Sequence, residues 1–126
     1  MQKCKILLVD DEQDIVFVIK KGLERHGFEV DSYSDPKKAL ADFRPDTYDL
    51  LVSDIRMPGL TGIQLFMELK AIDKNLRVLF LTAFEIQEKE RQLLLPYEGV
   101  REFIEKPVTL QYLVNAIVRL KAIAEI

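Results

Sequence analysis

The sequence is poor in the residues that usually make covalent or metal cross-links. A single cysteine, Cys4, rules out an intramolecular disulfide, and with it the small secreted scaffolds that depend on such staples. One histidine, His26, beside that one cysteine leaves no set from which a zinc site is ordinarily assembled. Positive charge is not in excess either. The net charge is −3, and no basic stripe marks a nucleic-acid surface. No apolar run approaches the length needed to span a bilayer, and the N-terminus lacks a secretory pattern. Gly/Ser linkers, low-complexity tracts and internal repeats are missing as well. What remains is a globular chain expected in the reducing cytoplasm, with no direct hold on nucleic acid or membrane. Its 126 residues suit one domain, expected over 1–126. A chain of that size buries roughly two-thirds of its unfolded surface without a staple.

The two scarce residues have plain readings. Cys4 precedes an apolar run and reads as a small half-buried side chain rather than a reactive thiol. His26 sits in "ERHG", where Gly27 ends a helix, and reads as a charge at the helix C-terminus.

What is present alternates. Strand-like runs occur at 5–9 (KILLV), 28–33 (FEVDSY), 50–53 (LLVS), 76–81 (LRVLFL) and 100–105 (VREFIE). Between them lie helical patterns at 14–27, 34–45, 62–72 and 85–95, and a last one at 109–126. Ile15, Ile19 and Leu23 share one helical face, as do Leu65, Leu69 and Ile72, and Leu113, Ile117 and Leu120. Asp35 caps the second helix, Pro36 fits its first turn and Pro45 stops it. Pro96 ends the fourth. Strands alternating with helices imply a parallel sheet covered on both faces, an α/β three-layer sandwich. Right-handed crossovers and continuous apolar central strands point to a flavodoxin-like doubly wound (βα)5 fold with strand order 2-1-3-4-5.

All strands of a parallel sheet finish on one edge, so the residues after each run converge. They are Asp10 and Asp11, then Asp54, Thr82, and Lys106 with Pro107. A lone Asp after a strand is usually a cap or turn former, and Asp10 or Asp11 is also a cap candidate for the first helix. Lone Thr or Lys-Pro signals little. Their joint occurrence on one rim, where open α/β sheets bind ligands, signals a site. Three carboxylates repel one another unless a cation intervenes, and hard oxygen ligands favour Mg²⁺. The ammonium of Lys106 does not bind that metal and instead balances negative charge. Asp54 as nucleophile, with Mg²⁺ and Lys106 spreading charge and Thr82 donating its hydroxyl, makes a workable phosphoryl-transfer site. The Pro58-Gly59 turn, followed by Gly62, lets the chain leave Asp54 uncovered.

These motifs, "LLVDDE", "LLVSDIRMPGLTG", "FLTA" and "FIEKP", together resemble the response-regulator receiver domain of two-component signalling, over essentially the whole chain. The resemblance implies that Asp54 accepts a phosphoryl group from the phosphohistidine of a sensor histidine kinase or a phosphotransfer protein. It implies Mg²⁺ bound by Asp11 and Asp54, by Asp10 through water, and by the backbone carbonyl of Arg56. Lys106 and Thr82 would contact phosphoryl oxygens beside the small Ala83. Phe103 would be the aromatic switch partner of Thr82, and the Lys106-Pro107 bond would be cis. Such a domain is a phosphoacceptor, not an enzyme acting on other substrates.

Three further expectations concern behaviour. Clustered carboxylates raise at least one pKa in the absence of metal. The side chains of Arg56 and Phe84 flank the path of hydrolytic water and slow self-dephosphorylation. The surface of the fourth helix, last strand and fifth helix changes on phosphorylation and binds an output partner or a second copy, because "EIQEKERQ" offers only Ile86 as an apolar anchor. Two alternatives are carried, a relay intermediate and, less favoured, a phosphatase, and the dinucleotide fold is argued against. A relay intermediate, alone or within a hybrid kinase, uses the same chemistry. A haloacid-dehalogenase-like phosphatase wants an Asp where Glu12 stands, and a late acidic motif. A dinucleotide fold needs a Gly-rich first turn, where this chain has "DDEQD".

Overall fold

A computed structural model describes residues 4–83 and 85–124. Five strands, β1 (Lys5–Val9), β2 (Glu29–Tyr33), β3 (Leu50–Asp54), β4 (Val78–Thr82) and β5 (Val100–Glu105), alternate with five helices. The helices are α1 (Gln13–Arg25), α2 (Pro36–Asp42), α3 (Gly62–Ile72), α4 (Glu88–Leu94) and α5 (Leu110–Ala124). The strands form one parallel sheet in the order β2-β1-β3-β4-β5. The expected fold class is therefore the one observed.

The two-residue period of a strand makes the three layers. Ile6 and Leu8 of β1 pack with Val16, Ile19 and Leu23 of α1 and with Leu113 and Ile117 of α5. The intervening Leu7 and Val9 belong to the core cluster on the other side, with Ala39 of α2, Phe66 and Leu69 of α3 and Leu94 of α4. β3 and β4 are buried along their whole length, so each of their apolar residues works for one layer or the other. Full burial of such a side chain contributes about 2 kcal/mol, which is why the central strands are the rigid part of the molecule.

Several boundaries differ from the sequence reading, each for a local reason. β3 and β4 run on through Asp54 and Thr82, so these residues end their strands rather than follow them. β4 starts at Val78, two residues later than expected, where pairing with β5 begins. α2 stops at Asp42 because Phe43 turns extended (φ −64°, ψ 137°) and buries its ring, before Pro45 can act. Neither Asp10 nor Asp11 caps α1. Glu12 holds the N-cap position, and its amide donates to Oδ1 of Asp10 at 3.0 Å. Ile72, the last residue of α3, is 47 % exposed rather than facing inward with Leu65 and Leu69. α4 is shorter than expected. Glu85 and Ile86 precede it, and its buried anchor is Leu94. Cys4 is fully buried rather than half-buried.

Other local expectations hold. The Asp35 carboxylate accepts from the Lys37 amide at 2.9 Å. Gly27 ends α1 with φ +89°, a conformation that a side chain disfavours. His26 bonds through Nδ1 to the Gly22 carbonyl at 2.9 Å. No described helix is long and apolar enough to cross a membrane.

Candidate functional site

The site is built by strand register. Val9 lies opposite Ser53, so Asp10, next in β1's direction, stands beside Asp54. Asp54 lies opposite Leu81, and Thr82 follows. Thr82 lies opposite Glu105, and the Lys106 amide donates to the Thr82 carbonyl at 2.7 Å. Residues from positions 10 to 106 thus share one rim. The cis Lys106–Pro107 bond lies at this corner.

Lys106 is the centre of the cluster. Its Nζ donates to Asp10 Oδ2 at 2.9 Å and to Asp54 Oδ2 at 3.1 Å, with Glu12 Oε1 at 3.7 Å. Asp10 is fully buried, Asp54 and Thr82 nearly so, and Asp11 is exposed. Oxygens of Asp10, Asp11 and Asp54 lie within 4.8 Å of one another, close enough to share one cation. Among the described residues, the remaining oxygen of Asp54, Oδ1, takes only a long bond of 3.4 Å from the Arg56 amide.

The electrostatics are unbalanced in an informative way. Burial pushes the Asp54 carboxyl above its ordinary value, opposed by Lys106 and reinforced by the charge of Asp10. One pKa in the cluster is therefore raised as expected, though burial and not mutual repulsion is the leading cause. For Lys106, burial favours the neutral amine. The hydrogen bonds and charges of Asp10 and then Asp54 outweigh it, and its pKa lies above the ordinary lysine value. The ammonium is thus secure, but it is shared between two carboxylates, and Asp54 remains short of positive charge.

The loop beyond β3 is shaped to keep Asp54 open. The Gly62 amide donates to the Ile55 carbonyl at 2.8 Å, and a Cβ on Gly62 would collide with the Asp54 carbonyl oxygen. Gly59 takes φ +84° in the turn between them. Ser53 Oγ donates to the same Asp54 carbonyl at 2.9 Å and lies against the same glycine, Gly62, 3.0 Å from where its Cβ would stand.

The remaining candidates are dispersed around this centre. Ala83 is exposed at the rim beside Thr82. Phe103 is half-buried. Its ring stacks on Phe80 at 5.5 Å, and the Arg91 guanidinium lies over it at 5.7 Å. Phe84 lies outside the described residues. The Arg56 side chain pairs with Glu90 of α4, at 2.8 and 3.0 Å through two parallel bonds. Glu90 was not legible in the sequence. It stands in a polar helix among other acids, and nothing local distinguishes it from them.

A family model described as the response regulator receiver domain matches residues 6–118. The chain belongs to the response regulator receiver family. It is a receiver domain of two-component phosphorelay signalling, and domains of this family accept phosphoryl groups at an acidic pocket rather than acting as ordinary enzymes. It is 37% identical over 120 residues to the alkaline phosphatase synthesis transcriptional regulatory protein PhoP of Bacillus subtilis, covering 94% of this chain and 48% of that one. The non-phosphorylated HemR receiver domain of Leptospira biflexa superimposes with a TM-score of 0.82 at 32% identity, over 93% of both chains. The response regulator TrrA of Thermotoga maritima, solved in complex with Mg(2+)-BeF, has a TM-score of 0.73 at 27% identity, over 93% of this receiver and 98% of that chain. This receiver spans from 24% to 50% of the length of the first curated relatives it matches.

Proposed function

We propose that residues 1–126 form one cytoplasmic receiver domain in which Asp54 is the phosphoacceptor. The observation that carries this reading is the Lys106 ammonium held between Asp10 and Asp54 at 2.9 and 3.1 Å, with an Asp11 oxygen within 4.8 Å of theirs. In the transfer step an Asp54 carboxylate oxygen attacks phosphorus as the P–N bond of a partner's phosphohistidine breaks. The electron pair goes to the imidazole nitrogen, which takes up a proton. Lys106 and the Thr82 hydroxyl then hold the phosphoryl oxygens.

The donor set fits a hard cation, because three carboxylates face one ammonium and burial leaves Asp54 under-compensated. Asp11, Asp54 and the Arg56 carbonyl would bind Mg²⁺ directly, with Asp10 through water. Bound there, the ion neutralises the developing charge on the transferred group. The partner is a sensor histidine kinase or a phosphotransfer protein. An apolar groove of about 580 Å³ between α1 and the Lys106–Pro107 corner, lined by Ile15, Val18, Ile19 and Val108, gives such a partner a footing beside Asp54. Output passes to the α4-β5-α5 face through Thr82 and Phe103. A further partner or a second copy of the chain would read that face.

Acetyl phosphate with Mg²⁺ is expected to add a single phosphoryl mass to the intact protein, and Asp54→Ala to abolish it. An unchanged adduct in that variant sinks the assignment. Lys106→Ala is expected to keep the fold while phosphorylation no longer alters hydrogen exchange over residues 83–106. A phosphotransfer assay with histidine-bearing proteins separates a terminal regulator from a relay intermediate.

A further inference from the structure

The Arg56–Glu90 pair joins two segments that the phosphoacceptor chemistry does not require to touch. Arg56 is anchored at the site, with its amide on Asp54 Oδ1. Its guanidinium instead grips Glu90 through both nitrogens and both carboxylate oxygens. That carboxylate has a second duty. Oε1 also accepts from the Gln87 amide at 2.9 Å, closing a capping box at the start of α4. One side chain therefore starts the helix and ties it to the Asp54 loop.

Among the described residues little else holds that first turn beyond Ile86, half-buried against the core just before the N-cap. Glu88 and Lys89 are exposed, Glu90 is half-buried, and Leu94, the buried residue of α4, lies in its last turn. The next residue after Glu90 is Arg91, whose guanidinium covers Phe103. The pair thus sits between the acidic rim and the α4-β5 surface. It is geometrically good, bidentate and only partly exposed, with side chains 36% and 15% accessible.

We propose that the Arg56–Glu90 ion pair is a latch that holds the first turn of α4 to the Asp54 loop, and that a phosphoryl group on Asp54 opens it by drawing the guanidinium away from Glu90. The inference rests on phosphorylation at Asp54. A phosphoryl dianion presents three oxygens and more charge than a carboxylate. Arg56 is two residues from it, and its planar fork matches either acceptor. Glu90 keeps its capping bond when the guanidinium leaves, so α4 loosens without melting. The uncovering of Phe103 then follows from movement of Arg91, one residue along.

Hydrogen exchange over residues 88–94 tests this in wild type, Glu90→Gln, Arg56→Met and the double variant. Glutamine retains the capping bond and loses the ion pair, so a capping effect is excluded from the comparison. Without phosphoryl donor, each single variant is expected to exchange on the order of fivefold faster than wild type there. The double variant should be no faster than the singles. Wild type carrying the mass-confirmed adduct, or beryllofluoride, should match the unmodified Glu90→Gln protein. Equal exchange in all four unmodified proteins overturns the latch. An adduct on wild type with unchanged exchange overturns its opening while leaving the phosphoacceptor reading intact. Failure of wild type to form any adduct removes that reading and the opening step together.

Discussion

The two ends of the sheet use the same side chains to opposite ends. At the far rim, where strands begin, Asp73 is as deeply buried as Asp54. Both of its oxygens are satisfied by backbone, from the Asp46 and Asn75 amides at 3.0 Å each. Nearby, Lys5 lies 3.6 Å from Asp31, and Asp31 accepts the Tyr48 hydroxyl at 2.7 Å. At the acidic rim carboxylates instead crowd around one ammonium, and among the described residues Asp54 has only a 3.4 Å backbone bond on its other oxygen. A carboxylate locked by two amides fastens a loop. A carboxylate with fewer such bonds is the one on which the proposed phosphoryl transfer rests. The difference between structure and chemistry lies in how completely each acid is satisfied, not in how deeply it is buried.

Exchanging the two acids in turn gives the sharpest break in this contrast. Asp54→Ala is expected to lose phosphoryl acceptance completely while remaining folded. Asp73→Ala should still accept a phosphoryl group, but unfold more easily by about 1–3 kcal/mol, because two amides lose their acceptor. Intact mass and thermal melting distinguish the two. Equal phosphorylation in both variants would erase the distinction.

Metal comes next in size. Millimolar Mg²⁺ should raise the melting temperature of the wild type, since binding stabilises it by on the order of 1.4 kcal/mol at tenfold excess over Kd. Asp11→Ala should remove the shift, and Asp31→Ala at the far rim should keep it. A wild type indifferent to the ion counts against the acidic site.

The groove beside Lys106 predicts a selective loss. Val18 is 61% exposed on α1 at that groove. Val18→Glu should slow transfer from a phosphohistidine protein by about tenfold, as a charge buried in a contact does, and leave acetyl phosphate unaffected. Slowing with both donors would place the defect in the chemistry instead.

Alkali probes the far rim with a smaller effect. Burial, then the hydrogen bond and charge of Asp31, push the Tyr48 hydroxyl well above its ordinary value of 10.0. The unfolded chain releases that proton first, so the stability it confers is present below pH 10 and is lost as pH rises through the folded value. Tyr48→Phe should cost about 1 kcal/mol at neutral pH and flatten the alkaline decline in chemical denaturation. An unaltered slope would show that Tyr48 does not set it.

Much of this receiver was legible in its residues. Apolar runs and helical spacing are local signals, so all ten elements could be read. The convergence of Asp10, Asp54, Thr82 and Lys106 followed because parallel strands must end on one edge. Boundaries were harder to read where a tertiary contact overrode local propensity, as when the Phe43 ring was buried and cut α2 short. The aromatic position Phe103 was found by resemblance, but its cover by Arg91 was not.

Sequence alone thus determined which residues stand together at the acidic rim, because burying an apolar strand in a parallel sheet dictates where its last residue lies. Only the tertiary structure decided how the charges there are shared. Lys106 bonds Asp10 as well as Asp54, and Arg56 turns to Glu90, 34 residues along the chain. The physical reason is that burial patterns repeat along the chain and can be read from it. An ion pair leaves no such period, and its partner is chosen by distance in space after the layers have packed.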